Sequence, residues 1–250
     1  MSISYKNMKL ATKSITKNFG GLQAVNKVSL EFLPKKITGV VGPNGSGKTT
    51  LMNLITGIVN FDSGLVIIGD DTKLEKIKSY DVRDFEITRT FQNVRVFEQM
   101  TVLDNILVVL TNRNPLSSLI DRHTKFHEDQ AQEVLTKVNL WSKKNALASS
   151  LSYGQRKLLE IARCLVIDAQ IYLFDEPFAG LFPEMIDLVS DILENLRDQG
   201  KTIILIEHNM YLMRKICDCM YVFDSGQILA QGLPDEVLSM KSVKEAYLGE

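Results

Sequence analysis

Apolar residues in the first third of the chain come in short runs, and the elements they predict are strands. Lys9–Ile15 and Val28–Leu33 partly alternate, with Gly20-Gly21 between them as a turn. Lys36–Val41 is a mostly apolar run that ends in a glycine-rich loop. From Lys48 to Val59 the period changes, and Leu51, Leu54, Ile55 and Ile58 recur at helical spacing. Phe61-Asp62-Ser63-Gly64 reads as a turn, and Leu65–Ile68 returns to a strand pattern. The stretch from about Lys73 to Ala148 is charged, poor in glycine and helix-biased, with Pro115 in a loop, and it predicts a helical lobe inserted into the core. Beyond it, Ile171–Phe174 is a fully apolar strand, Met185–Arg197 an amphipathic helix and Thr202–Ile206 another buried strand. Apolar strands alternating with helices predict a parallel sheet covered on both faces. Met220–Phe223 and Gln227–Ala230, joined by Asp224-Ser225-Gly226, close the pattern as a hairpin.

Composition narrows this picture rather than changing it. With 250 residues, 45% of them hydrophobic, the chain suffices for one α/β domain carrying a lobe. A net charge of −1 leaves no basic excess, so no nucleic-acid partner is expected. Cys164, Cys217 and Cys219 form no metal-ligand pattern and suit a reducing compartment. Met1–Leu10 lacks the apolar stretch of a secretory signal. The apolar runs at Ile106–Leu110 and Ile203–Ile206 are too short to cross a bilayer, so any membrane association is expected to be peripheral.

The chemistry begins in the loop Gly42-Pro43-Asn44-Gly45-Ser46-Gly47-Lys48-Thr49. Strand, glycine loop and helix follow one another there, which is the context of a phosphate-binding loop rather than of a chance glycine turn. Its glycines let backbone N–H groups converge on phosphate oxygens, and the helix start adds a positive dipole end. Lys48 supplies a point charge for the β- and γ-phosphates and the Thr49 hydroxyl a ligand for Mg²⁺, with Thr50 beside it. The second constellation is Ile171-Tyr172-Leu173-Phe174-Asp175-Glu176-Pro177. Its apolar strand delivers Asp175 at the carboxyl end, where α/β sheets hold ligands. Asp175 is placed to help hold Mg²⁺ and Glu176 to orient or deprotonate an attacking water; the alternative is a solvated acidic turn. A third segment, Leu151-Ser152-Tyr153-Gly154-Gln155, precedes the helix Arg156–Val166. Read from its residues alone, it serves either as an anion site at a helix N-terminus or as an ordinary N-cap.

That third segment resembles the signature motif of ATP-binding cassette (ABC) ATPases, usually Leu-Ser-Gly-Gly-Gln. The resemblance runs through the chain. Gln92, in Thr90-Phe91-Gln92-Asn93-Val94, matches the glutamine loop that contacts Mg²⁺ and the attacking water. His208 matches the switch histidine at the γ-phosphate, and Phe19 the aromatic that stacks on adenine. The fold this implies is α/β. It has a P-loop nucleotide hydrolase core, a mostly parallel sheet flanked by helices, with an N-terminal antiparallel β subdomain and an inserted α-helical lobe. On this reading residues 1–72 form the β subdomain and first part of the core, 73–168 the lobe with the signature segment, and 169–250 the rest. The resemblance implies ATP and Mg²⁺ as cofactors, with Thr49, Gln92 and Asp175 at the metal. Glu176, His208, Gln92 and Lys48 would be the catalytic set. ATP would be sandwiched between one copy's Gly42–Thr50 and Ser152, Gly154 and Gln155 of a second copy or sister subunit. ABC-type permease subunits would hold the pair at the cytoplasmic face of the cell membrane and connect it to a periplasmic or surface solute-binding protein.

Within that family Phe19–Val25, Arg89–Phe97, Glu98–Asn105, Leu159–Arg163, Glu176–Leu181 and the ending Tyr247–Glu250 look like ATPases of branched-chain amino-acid importers. Lipopolysaccharide-export and urea-importer ATPases share part of this text and remain alternatives, as do non-transport ABC proteins. Two departures stand out. Tyr153 replaces the first glycine of the signature, and Phe182 stands where the loop after the glutamate usually carries Asp or, in this branch, Asn. Phe182 cannot hydrogen-bond through its side chain, so exchange between two ATP sites is expected to rely on backbone groups or to weaken. Val94, Val96, Phe97 and Met100 are expected either to seat a partner helix or to pack the lobe internally.

Overall fold

The computed structural model describes residues 8–110 and 125–248. Pro115 and the ending Gly249-Glu250 lie outside the described residues. The chain divides into two compact units, Met1–Arg89 with Gln170–Glu176 and Leu193–Glu250, and Thr90–Ala169 with Pro177–Ile192.

The first unit contains two sheets. Strands β1 (Leu10–Phe19), β2 (Leu22–Phe32), β4 (Ser63–Ile68) and β5 (Thr72–Leu74) form an antiparallel sheet in the order β2-β1-β4-β5. β1 and β2 run several residues beyond their alternating stretches. The register shifts between Thr12 and Ile15 and again before Lys17, with Ser14 and Lys27 at positive φ. These irregularities re-phase the strand, so that Ile15 and Thr16 are both buried and the two-residue period breaks. The hairpin turns at Gly20-Gly21, as its sequence predicts.

The second sheet is the nucleotide-hydrolase core. β3 (Lys36–Val41) lies inside the order β10-β9-β3-β8-β7-β6, with β6 Ile87–Arg89, β7 Ile171–Asp175, β8 Thr202–Ile206, β9 Cys219–Asp224 and β10 Gln227–Gly232. All its pairings are parallel except the closing β9–β10 hairpin. β7 and β8 are buried at every residue, which is why their sequences show no alternation. Helix α1 (Lys48–Ile55) ends earlier than its apolar spacing suggests. The Thr56 hydroxyl turns back to the Met52 carbonyl at 2.7 Å and caps it. Leu10, Phe32, Val40, Leu51, Ile204 and Phe223 share one buried cluster, so both sheets rest on a common core.

Residues 73–89, expected in the helical lobe, instead supply β5 and β6. Each strand is three residues long, too short to show a period, and β6 exists by pairing with β7 far along the chain. The second unit is helical, with α2 (Val102–Leu110), α3 (Lys125–Lys137), α4 (Tyr153–Leu165) and the start of α5 (Pro183–Asp198). The remaining helices, α6 (Met210–Ile216), α7 (Pro234–Ser239) and α8 (Lys241–Leu248), belong to the first unit.

Candidate active site

The loop between β3 and α1 is shaped by close backbone contacts. Gly42 has φ +153, and a Cβ there would meet the Phe223 carbonyl oxygen at 2.2 Å. Gly47, at φ +107, would meet the Ala24 carbonyl oxygen at 2.4 Å. The loop is thus pressed against β2 and the β9–β10 turn, where Gly226 N–H also donates to the Ser46 carbonyl at 2.9 Å. Gly47 is the N-cap of α1 and offers no side-chain acceptor, and no acidic residue occupies the first turn. The first-turn N–H groups therefore suit an anionic ligand.

Lys48 is buried within this loop. Its ammonium donates to the carbonyls of Gly42 at 2.8 Å and Pro43 at 2.9 Å, and to Ser46 Oγ at 3.4 Å. Burial lowers the Lys48 pKa, while the nearby Glu176 and Asp175 carboxylates oppose that shift. Lys48 is thus a buried cation satisfied by protein oxygens, with two carboxylates nearby. Thr49 is exposed and Thr50 half-buried at the start of the helix. Phe19, 46% exposed at the tip of the β1–β2 hairpin, presents a ring to solvent, with Lys17 Nζ 5.4 Å from its centroid.

β7 ends at Asp175, whose carboxylate is buried and accepts from Arg89 Nη2 at 2.7 Å. Arg89 also donates to Asn53 Oδ1 at 2.8 Å and Thr56 Oγ1 at 3.2 Å, tying the carboxyl end of α1 to the end of β7. Glu176 follows with φ +50, a left-handed conformation that costs a non-glycine residue about 1 kcal/mol or more. Its N–H donates to the Ile206 carbonyl at 2.9 Å, which holds the strained turn. Its carboxylate Oε1 lies 3.0 Å from His208 Nε2, just beyond the end of β8. Four residues singled out from the sequence, Lys48, Asp175, Glu176 and His208, are therefore grouped at the carboxyl ends of adjacent strands.

Gln92, Ser152, Gly154 and Gln155 belong to the second unit. Gln92 is exposed. Ser152 forms a capping box with Gln155: its Oγ accepts from Gln155 N at 3.3 Å, and Gln155 Oε1 accepts from Ser152 N at 3.2 Å. The N-cap reading thus holds, and the Ser152 hydroxyl keeps its own proton for an anionic acceptor. The Tyr153 ring lies against Gly180, and Phe182 is 69% exposed.

Two residues at this site escaped the motif reading. Arg89 is part of a matched stretch, but nothing local indicates its bond to Asp175. Tyr247 of α8 brings its hydroxyl beside the Gly42 backbone, and burial pushes that phenol above its ordinary range. Only the fold reveals either contact.

Known proteins resemble this chain in sequence and in fold. A family model described as ABC transporter matches residues 25–179. The high-affinity branched-chain amino acid transport ATP-binding protein LivG of Escherichia coli K12 is 37% identical, over 96% of this chain and 98% of its own length. BraF of Pseudomonas aeruginosa, described in the same terms, is also 37% identical with the same coverage. The lipopolysaccharide export system ATP-binding protein LptB of Escherichia coli K12 is 34% identical over 96% of this chain and 97% of its own. Among solved structures, an ATP-binding cassette of an ABC transporter in its ADP conformation superposes with a TM-score of 0.84 and 33% identity. It covers 97% of this chain and 99% of that one.

Proposed function

The chain belongs to the ABC transporter ATPase family, and from that premise we propose that it hydrolyses ATP to drive an importer of branched-chain amino acids or similar small polar solutes. The observation that carries the catalytic reading is the Glu176–His208 contact at 3.0 Å, beside the Lys48 loop. Glu176 is the base for the attacking water, and its strained turn keeps the carboxylate toward His208. Lys48 and the first-turn N–H groups of α1 bind the β- and γ-phosphates, and Phe19 stacks on the adenine. Mg²⁺ supplies charge neutralisation of the phosphates when bound. The Thr49 hydroxyl and the Asp175 carboxylate are oxygen donors suited to a hard cation, and the Gln92 amide is a third taken from the resemblance.

The partners are a second copy or sister ATPase, whose Ser152, Gly154 and Gln155 complete the ATP site, and membrane permease subunits. A solute-binding protein acts through the permease. The working position is the cytoplasmic face of the cell membrane. The LivG and BraF likeness favours an amino-acid cargo over the lipopolysaccharide export named for LptB.

Glu176→Gln tests the catalytic assignment. Steady-state phosphate release should fall at least ~100-fold while ATP binding persists, because the amide keeps the shape and loses the base. Hydrolysis by this variant at the wild-type rate would refute Glu176 as the base.

A further inference from the structure

Three charged residues of α4 bind the backbone of one irregular segment, residues 91–95. Lys157, fully buried, donates from Nζ to the carbonyls of Phe91 at 3.0 Å and Gln92 at 3.5 Å. Glu160, 4% exposed, accepts on Oε1 from the N–H groups of Phe91 at 3.3 Å and Arg95 at 3.2 Å. Its other oxygen lies 3.6 Å from Lys157 Nζ. Arg163 donates to the Arg95 carbonyl. Positions 157, 160 and 163 fall at three-residue spacing, so the three side chains share one face of the helix.

Burying a lysine and a glutamate is costly, and well-packed apolar residues often replace such a pair without loss. Burial pushes the Glu160 carboxyl upward, against the pull of Lys157 and of the two N–H groups. What these charges do that apolar residues would not is hold backbone that lacks a strand or helix of its own. Asn105 extends the hold, accepting from Phe97 N–H at 2.8 Å and donating to its carbonyl at 3.0 Å.

We infer that Lys157 and Glu160 are positioning residues that fix the backbone on both sides of Gln92, so that the helix carrying the Ser152–Gln155 segment also presents Gln92. A displacement anywhere in residues 91–95 is then shared with α4 rather than absorbed by a free loop. The inference rests on the reading of Gln92 as a residue of hydrolysis. That reading has its own control, because Gln92→Ala with an unchanged turnover rate would remove it without touching the clamp.

The test compares Glu160→Gln, Glu160→Leu and the double variant Lys157→Met with Glu160→Leu, each in the full-length chain. Hydrogen exchange over residues 89–97, ATP affinity and steady-state turnover are read together. Glu160→Gln retains an Oε1 acceptor and should keep exchange within about threefold of wild type. Glu160→Leu and the double variant should exchange at least about tenfold faster over this segment. Their kcat should fall about tenfold while ATP affinity stays within about twofold. The double variant removes both members of the Lys157–Glu160 pair, so neither is left without the other, and it keeps the test open if Glu160→Leu fails to fold. Wild-type exchange or wild-type kcat in the double variant would overturn the inference, as would equal losses in affinity and kcat.

Discussion

Tyr153 and Gly180 constrain each other. A Cβ on Gly180 would lie 2.8 Å from Tyr153 Cε1, and Gly180 itself has φ +70. The tyrosine that replaces a signature glycine is therefore seated on the loop that follows Glu176. Gly180→Ala adds a steric conflict to an unfavourable backbone conformation and should cost about 1–3 kcal/mol. Adding Tyr153→Ala should recover the steric part and leave the backbone part. A double-mutant cycle by denaturant unfolding measures the split, and strictly additive effects would show that the ring does not press on the glycine. Phe182, two residues on, is 69% exposed, and nothing among the described residues explains its replacing a polar residue.

At the level of elements, the hairpin that presents Phe19 is tied to the strand β4 by one carboxylate. Asp62 accepts from Lys17 Nζ at 2.8 Å, from Asn18 N–H at 2.7 Å and from Asn18 Nδ2 at 3.2 Å. Its own N–H donates to the Thr16 carbonyl at 2.8 Å. The Lys17 bond first, and then the Asn18 N–H, hold the Asp62 carboxyl below its ordinary range. A carboxylate depressed on folding stabilises the folded state above its unfolded pKa, near about 4, and loses that contribution as pH falls through the folded value. Asp62→Asn should therefore be less stable than wild type at pH 7, with the gap closing under more acidic conditions. Unfolding curves at pH 7 and pH 3 check this; an unchanged gap would mean that the charge is not what ties the hairpin down. The same network bears on function, since Phe19 directly follows Asn18.

For the whole molecule, no helix among the described residues is long and apolar enough to cross a membrane. The proposed function calls for a surface on which a permease can dock. In the second unit Phe97 is 48% exposed, with Val94, Val96 and Met100 half-buried near it in the chain. This supports an apolar seat for a permease helix over purely internal packing. Arg163 lies 4.8 Å over the Phe97 ring, so the seat has a charged floor. Phe97→Asp should weaken co-purification with the permease about tenfold while the isolated chain binds ATP as before. Full assembly and transport by that variant would place the docking surface elsewhere.

Much of this protein is written locally. The glycine loop Gly42–Gly47 running into the helix start at Lys48 is one contiguous stretch, and the apolar strand ending in Asp175 and Glu176 is another. Connectivity alone therefore puts loop N–H groups, cation and carboxylates at the ends of strands. Near-continuous apolar runs likewise mark β3, β7 and β8, because each is buried along its whole length or nearly so. Other features have no local trace. The bulge at Ser14 broke the alternation that would have shown the full length of β1, and β6 is a strand only because β7 lies beside it. Arg89 on Asp175, Lys157 and Glu160 on the Gln92 backbone, the Tyr153 ring on Gly180 and Tyr247 beside Gly42 all join distant stretches of chain. Such contacts depend on which surfaces meet once the core has packed, and no period or motif in the sequence carries that information. The sequence by itself determined what chemistry is available, and the tertiary structure decided which groups restrain it.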